Sequence, residues 1–292
     1  MATQVRSVGP GAFEEIYPLL ARLPNRAMSK EDWHWLLFGY PWGAGRHRGW
    51  ALYADGAAVG FIGAVFSERT LLGRAEKFCN PSSWIVLEPY RYAAALLLKP
   101  ILAMRDHTIV SLWLSQAAHG VFARFGFKTL ESEQFVLPPL PRPAESLRAL
   151  RGSFTLDPAE IRASLVGEER RLHEDMSSSP VARHVLLERG ARRCYVVAVP
   201  CRKWGVPYAD IQYISDREFF WEHRFLAHAA LVRAMGLAGL AIAVDRRFLV
   251  GRAPPLAQRM RMLRLYRPTR EEISPLMIDG LYSELMGLRY GA

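Results

Sequence analysis

An α/β fold, a mixed sheet flanked by helices and set out twice along the chain, is predicted by three features of this sequence. Residues 84–98 run Trp-Ile-Val-Leu, then Glu-Pro-Tyr-Arg-Tyr, then an apolar Ala and Leu series, which reads as a buried strand, a tight turn and the start of a helix. A second strand at 108–114 and a short helix before Phe125-Gly126-Phe127-Lys128 follow. Beyond a proline-rich stretch the order strand, helix, strand returns between 194 and 244.

The composition supports two such halves. The chain has 292 residues, of which 50% are hydrophobic and 23% charged, enough to bury a sizeable core and too apolar for a disordered chain. Its net charge of +10 favours polyanions, anionic lipid surfaces or phosphate-bearing ligands without choosing among them. The densest basic group, Arg259, Arg261, Arg264, Arg267 and Arg270, is expected to be a solvated face. No basic, aromatic-interleaved strand pattern accompanies it, so nucleic acid is not an expected partner. Cys79, Cys194 and Cys201 form no Cys-x-x-Cys pair and no leader-like segment precedes them, so a reducing, cytoplasmic setting is expected. The longest apolar run, 93–104, is broken by Lys99 and too short to cross a bilayer, so no transmembrane segment is expected.

The elements of the first half follow from local signals. Val5–Val8 reads as a first strand, and Phe13, Ile16, Tyr17 and Leu20 recur at helical spacing in 13–23. Ser29 with Asp32 three residues on resembles a capping box, which starts a second helix over 31–37. Asp55-Gly56 between 49–53 and 59–66 is the strongest short-range hairpin signal in the chain. Residues 71–78 are expected to lead into a loop before the strand at Trp84.

In the stretch 138–143 four of six residues are proline, which excludes helix and central strand and marks a linker over 138–150 between domains 1–137 and 151–292. In the second domain helices are expected at 158–173, 181–187 and 218–235, and strands at 194–199, 209–214 and 240–244.

A strand that stops at Pro89 and feeds a helix leaves backbone N–H groups and partial positive charge at the turn, where an anion can settle. From this point the segment resembles the GNAT superfamily of acyl-CoA N-acyltransferases. Val86-x-x-Pro89-Tyr90-Arg91 resembles its strand and turn, and Gly126-Phe127 its closing signature. Upstream, Trp33-x-Trp35, Pro41-Trp42-Gly43 and Gly60-Phe61-Ile62-Gly63 resemble the opening of larger bacterial members. The likeness covers about residues 1–137, and the second half reads as a diverged repeat. It implies a GNAT-like sheet and acyl transfer from acetyl-CoA or another acyl-CoA to an amine, such as an amino sugar or another small molecule. Val86 and Leu87 would pair with pantetheine, and Arg91, Tyr92, Ala93, Ala94, Ala95 and Leu96 would hold the diphosphate.

Three positions depart from that pattern. Ala94 and Leu96 stand where the family has glycines, and a Cβ there narrows the approach. Phe122 stands where a general-acid tyrosine is frequent, and Ser115 where asparagine is common. The alternative is therefore a non-catalytic binding or scaffold protein with a degenerate CoA site.

Among proton acceptors Glu88, just after the strand, leads; Glu76 and His119 are weaker, and an acid at a helix start also serves the dipole. Cys79 has no histidine partner by spacing and reads as a small hydrophobe. Trp33, Tyr40 and Trp42 form an aromatic group suited to an acceptor, although Trp33 and Trp35, two apart on a helix, cannot share a face. His223 and His228 diverge on a helix, so no metal is expected. Asp216 is acidic where a phosphate needs positive potential, so the second half is expected to close the acceptor cleft or form a subunit contact, as in a homodimer. In the tail, Tyr282 and Glu284 could reach a cleft.

Overall fold

The computed structural model describes residues 3–43, 47–139, 152–203, 205–252, 254 and 256–289, so most of the expected linker, 140–150, lies outside the described residues. The first strands are β1 (Thr3–Val8), β2 (Gly49–Ala54), β3 (Ala57–Leu71), β4 (Arg74–Val86) and β5 (His107–Ser111). Around them lie the helices α1 (Phe13–Leu20), α2 (Lys30–His34), α3 (Lys99–Ala103) and α4 (Gln116–Arg124). Next come β6 (Lys128–Leu137), β7 (Ser153–Thr155), α5 (Pro158–Ser164), α6 (Gly167–Met176), β8 (Arg183–Arg189), β9 (Arg192–Lys203) and β10 (Val206–Ile214). The chain continues through α7 (Arg217–Glu222), α8 (Arg224–Met235), β11 (Ile242–Asp245) and β12 (Gln258–Arg267).

These elements form two compact units. The first holds Met1–Leu130, Leu263–Met277 and Tyr282–Leu288, and the second Glu131–Met262, Ile278–Leu281 and Arg289–Ala292. Unit boundaries therefore differ from a simple cut at the prolines, because the end of β12 joins the first unit and most of β6 the second.

In the first unit the strands lie in the order β1, β2, β3, β4, β5, β12. Neighbours are antiparallel except β4 and β5, which run parallel. The second unit repeats this plan as β7, β8, β9, β10, β11, β6, again with one parallel pair, β10 and β11. Each is a mixed sheet flanked by helices, and each takes its sixth strand from the other half of the chain.

The hairpin at Asp55-Gly56 forms as expected, with φ of +50° and +83° as a type I′ turn requires. The capping box at α2 also forms: Asp32 N–H donates to Ser29 Oγ at 3.1 Å and Ser29 N–H to Asp32 Oδ2 at 3.0 Å.

Other expectations are corrected. Residues 74–86 are one long strand with no loop before Trp84, turned from β3 by Leu72 and Gly73, with φ of +53° and +73°. Residues 183–189 are strand, because both edges of β8 pair, with β7 and β9. The helix expected over 218–235 breaks at His223 (φ −120°, ψ 27°), and that over 158–173 is interrupted before Gly167, at φ +55°.

The arginine group on and after β12 is a solvated face only at Arg259 and Arg261, which are exposed. Arg264 is 1% exposed, while Arg267 donates to the carbonyls of Leu102 and Met104 at 3.1 and 3.0 Å and Arg270 pairs with buried Glu76 at 3.2 Å. Strand alternation puts every second side chain inside.

Among the described residues no helix is long and apolar enough to cross a membrane.

Candidate active site

The candidate site lies in the first unit, where the parallel pair comes apart. β4 and β5 pair at Lys77 with His107, Phe78 with Thr108 and Cys79 with Ile109, and the pairing ends there. β4 continues to Val86 against β3 alone. A bulge opposite Ile62 bends it, with Ser83 in the left-handed region at φ +56°.

At the point of parting, buried Asn80 bridges the two strands. Its amide Nδ2 donates to the Val110 carbonyl at 2.9 Å, and its Oδ1 accepts the Glu284 backbone N–H at 2.9 Å. The opening beyond is a notch with β4 on one side and the end of β5 on the other.

The backbone of the upper strand is divided between the two sides. Leu87 N–H donates to the Val59 carbonyl at 2.8 Å, toward β3. Successive residues of a strand alternate the direction of their polar groups, so the Val86 N–H faces the notch. Of the two expected pantetheine partners, Val86 is the one whose amide is turned toward the notch.

The diphosphate segment is wound differently from the α-helix expected. Residues 88–98 form 3-10 turns, with Tyr90 N–H donating to the Leu87 carbonyl at 2.9 Å. In this tighter coil each amide closes on a carbonyl three residues back, and proline at the second position has no N–H to give. The Glu88 N–H and the exposed Arg91 guanidinium are then the donors at the turn.

Ala93 is buried in the core with Leu97 and Leu98, whereas Ala95 and Tyr92 face outward and Ala94 is half-buried. Leu96 packs against the core and lines an open groove of about 470 Å³ with Trp50, Lys99 and Pro100.

Of the three aromatics, Trp33 and Tyr40 are 4% and 2% exposed and act as core. The Tyr40 hydroxyl accepts the Phe66 N–H at 3.1 Å, and Arg48 covers its ring at 4.4 Å. Half-buried Trp42 packs on Tyr40, Trp35 and Tyr282, and its enclosed Nε1 has no hydrogen-bond partner. The structure thus brings Trp42 together with the tail and walls off the other two. Phe122 is buried, edge-on to Trp84 and Phe127, in the core shared by α3 and α4.

The carboxylates separate clearly. The Glu88 side chain is 82% exposed, 3.6 Å from Arg91. Glu76 is buried but engaged by Arg270, Thr108 and Thr269.

Glu284, reached from a tail far along the sequence, is 1% exposed, and its Oε2 has no hydrogen-bond partner. Burial pushes its pKa up to about 8 against the opposing pull of its own and the Trp113 backbone amides, Arg264 and the Leu112 amide. Only its place in Tyr282–Glu284 hinted at this from sequence.

The corresponding parting in the second unit is occupied. β10 and β11 pair at Ala209 with Ile242 and Asp210 with Ala243. There Gln134 Nε2 donates to Asp210 at 2.6 Å, and Arg247 grips Asp245 with two donors at 2.8 and 3.0 Å. Asp210 and Asp245 are 4% and 0% exposed, and two buried carboxylates oppose a bound phosphate.

No sequence model of a protein family matches the chain, and no curated protein sequence matches it. Solved structures do. A GCN5-related N-acetyltransferase from Kribbella flavida aligns with a TM-score of 0.57 at 14% identity, over 92% of this chain and 72% of the other. One from Anabaena variabilis gives 0.58 at 9% identity, over 92% and 73%. A tandem GNAT protein from the clavulanic acid biosynthesis pathway gives 0.55 at 11% identity, over 92% and 99%. The fold is therefore that of the GCN5-related N-acetyltransferases, in the tandem arrangement.

Proposed function

We propose that this protein transfers an acyl group from acyl-CoA to the amine of a small molecule, with the donor held by the first unit. The observation that carries this reading is the parting of β4 from β5 after Cys79 and Ile109, which turns the Val86 amide toward an open notch. Pantetheine is an extended chain of amides, and a strand edge without a partner strand can pair with it as it would with another strand. Arg91 at the turn supplies positive charge for the diphosphate. Acyl transfer from a thioester asks mainly that the carbonyl be polarised and the amine held deprotonated at attack distance. A backbone N–H at Val86 can polarise that carbonyl as an oxyanion donor does.

Glu88, at the solvent end of the notch, is assigned proton exchange with bulk water, and Trp42 a wall of the acceptor space. The buried carboxylates of the second unit leave it a structural part. Acetyl-CoA is the first donor to test, and three buried cysteine thiols suit a reducing compartment such as the cytoplasm.

The competing reading, a binding protein that no longer turns over, is favoured by the 3-10 winding of 88–98 and by the buried phenylalanine at 122. Titration calorimetry with acetyl-, malonyl- and long-chain acyl-CoA decides between them when paired with thiol release. Binding with release in the presence of amines supports transfer, and binding without release supports the competing reading. No heat with any donor removes the acyl-CoA assignment altogether.

A further inference from the structure

We propose that Glu284 is the base that takes the proton from the acceptor amine, an inference that rests on the acyl-transfer assignment above. Three geometric facts point to it. First, the residue sits at the fork: its N–H is held by Asn80 of β4, and Asn80 in turn holds the Val110 carbonyl of β5. Second, its carboxylate interacts with the backbone amides of Leu112 and Trp113, where β5 runs out. Leu112 is buried and Trp113 is 53% exposed, so the strand end that the carboxylate meets is where the chain passes from the core to the surface. Third, Glu284 is the one buried carboxylate among the described residues with an oxygen that lacks a hydrogen-bond partner. An acceptor lone pair enclosed in this way costs free energy unless something donates to it. An ammonium or amine N–H is a donor of the right kind.

Arg264 of β12 attracts the carboxylate; of the other charged groups on these strands, Arg69 of β3 lies over the Tyr282 ring at 5.6 Å and Glu76 of β4 is held by Arg270. Desolvation outweighs the pull of Arg264, which gives a carboxylate able to accept a proton near neutral pH.

The step balances without any further reactant. An acceptor arriving as ammonium gives one proton to Glu284 Oε2, and the freed lone pair forms the C–N bond to the thioester carbonyl. The tetrahedral intermediate collapses with cleavage of the C–S bond. The second nitrogen proton passes to the departing CoA thiolate, and Glu284 releases the first to water, which restores the carboxylate.

The test compares Glu284→Gln with wild type in two measurements. Glutamine preserves the size and the backbone N–H to Asn80 but cannot take up the proton. Calorimetry with acetyl-CoA should give affinities within about twofold of each other, since the donor does not depend on the base. Thiol release from acetyl-CoA is then followed against pH with glucosamine, lysine and butylamine. The expected result is a fall in kcat of about 100-fold or more in Glu284→Gln, with KM for acetyl-CoA unchanged and loss of the wild-type inflection on the acidic limb. Glu284→Asp should recover part of the rate. Equal kcat and pH profiles in wild type and Glu284→Gln overturn the proposal, as does wild type that binds acetyl-CoA but acylates none of the three amines. Wild type that fails to bind acetyl-CoA overturns instead the donor assignment on which the proposal stands.

Discussion

The Glu284 backbone N–H donates to Asn80 Oδ1 at 2.9 Å across a sequence separation of 204 residues. One amide therefore ties the tail to the strand on which the notch opens, while its Nδ2 closes the fork against Val110. Both of its contacts are buried, so removing it strands a carbonyl and an N–H away from water. Asn80→Ala should destabilise the protein by about 2–4 kcal/mol in urea unfolding, from two unpaired groups. Asn80→Asp should be worse at pH 8 than at pH 5, because a carboxylate cannot donate to Val110 and repels Glu284. Equal stability of Asn80→Asp at the two pH values would count against both the donor loss and the repulsion.

Ala94 is half-buried in the turn assigned to the diphosphate, between buried Ala93 and exposed Ala95. A carboxylate at this position meets bound phosphate with like charge at close range. Ala94→Asp should weaken acetyl-CoA binding about 10-fold or more in calorimetry while the thermal midpoint stays near wild type. Unchanged affinity would move the diphosphate away from this segment. Ala94→Ser separates charge from size, and should keep most of the affinity.

Arg267 gathers the end of α3. Its Nη2 donates to the Leu102 and Met104 carbonyls, and its guanidinium lies 5.5 Å from the centre of the Phe127 ring. Those carbonyls have no partner within the helix, and a cation there also opposes the negative end of the dipole. Arg267→Ala should cost about 1–3 kcal/mol in denaturant unfolding, and Arg267→Lys should recover less than half, because an ammonium lacks the planar group that lies by the Phe127 ring.

Local signals in the sequence specify their elements, and distant partners do not show in it. Asp55-Gly56 and Ser29 with Asp32 identify their turn and cap because the groups that satisfy each other lie within four residues. Leu72-Gly73 makes a similar left-handed turn, but leucine seldom adopts φ of +53°, so the β3–β4 hairpin was hidden. The 181–187 run has apolar spacing that suits a helix, and pairing on both edges decided for strand. The strand and turn at Pro89 were legible from the sequence, whereas the parallel pairing of β4 with β5 rests on residues about 30 apart and was not. Nor was the base proposed there, since Glu284 acquires its environment from Asn80, Leu112 and Arg264, none of them its neighbours in sequence. For the same reason the aromatic group 33–42 looked like one surface, whereas the fold buries Trp33 and Tyr40 and leaves Trp42 against Tyr282.

In the second unit, acid should act through a buried pair of histidines. His184 Nδ1 lies 2.7 Å and His173 Nδ1 3.3 Å from the Tyr195 hydroxyl, and His173 Nε2 lies 3.2 Å from the Pro158 carbonyl. A carbonyl only accepts, so His173 carries its proton on Nε2, and its Nδ1 takes the tyrosine hydrogen. The tyrosine oxygen also faces His184 Nδ1, and the Met176 carbonyl beside the His184 ring favours its protonated form. Burial first, and the neighbouring His173 second, lower the His184 pKa to about 4; burial also lowers that of His173. Both rings are thus neutral in the folded protein well below the pH at which they take up protons when unfolded. Their contribution to stability is complete above about pH 6.5 and is lost as the pH falls toward 4, by up to about 3 kcal/mol for His184 alone. Urea midpoints measured between pH 7.5 and 4.5 should fall on the acid side, and His184→Gln should flatten that fall by about half or more. A variant whose midpoints decline as steeply as wild type would place the acid sensitivity elsewhere, while Tyr195→Phe should lower stability at every pH because it removes the shared hydroxyl from both rings.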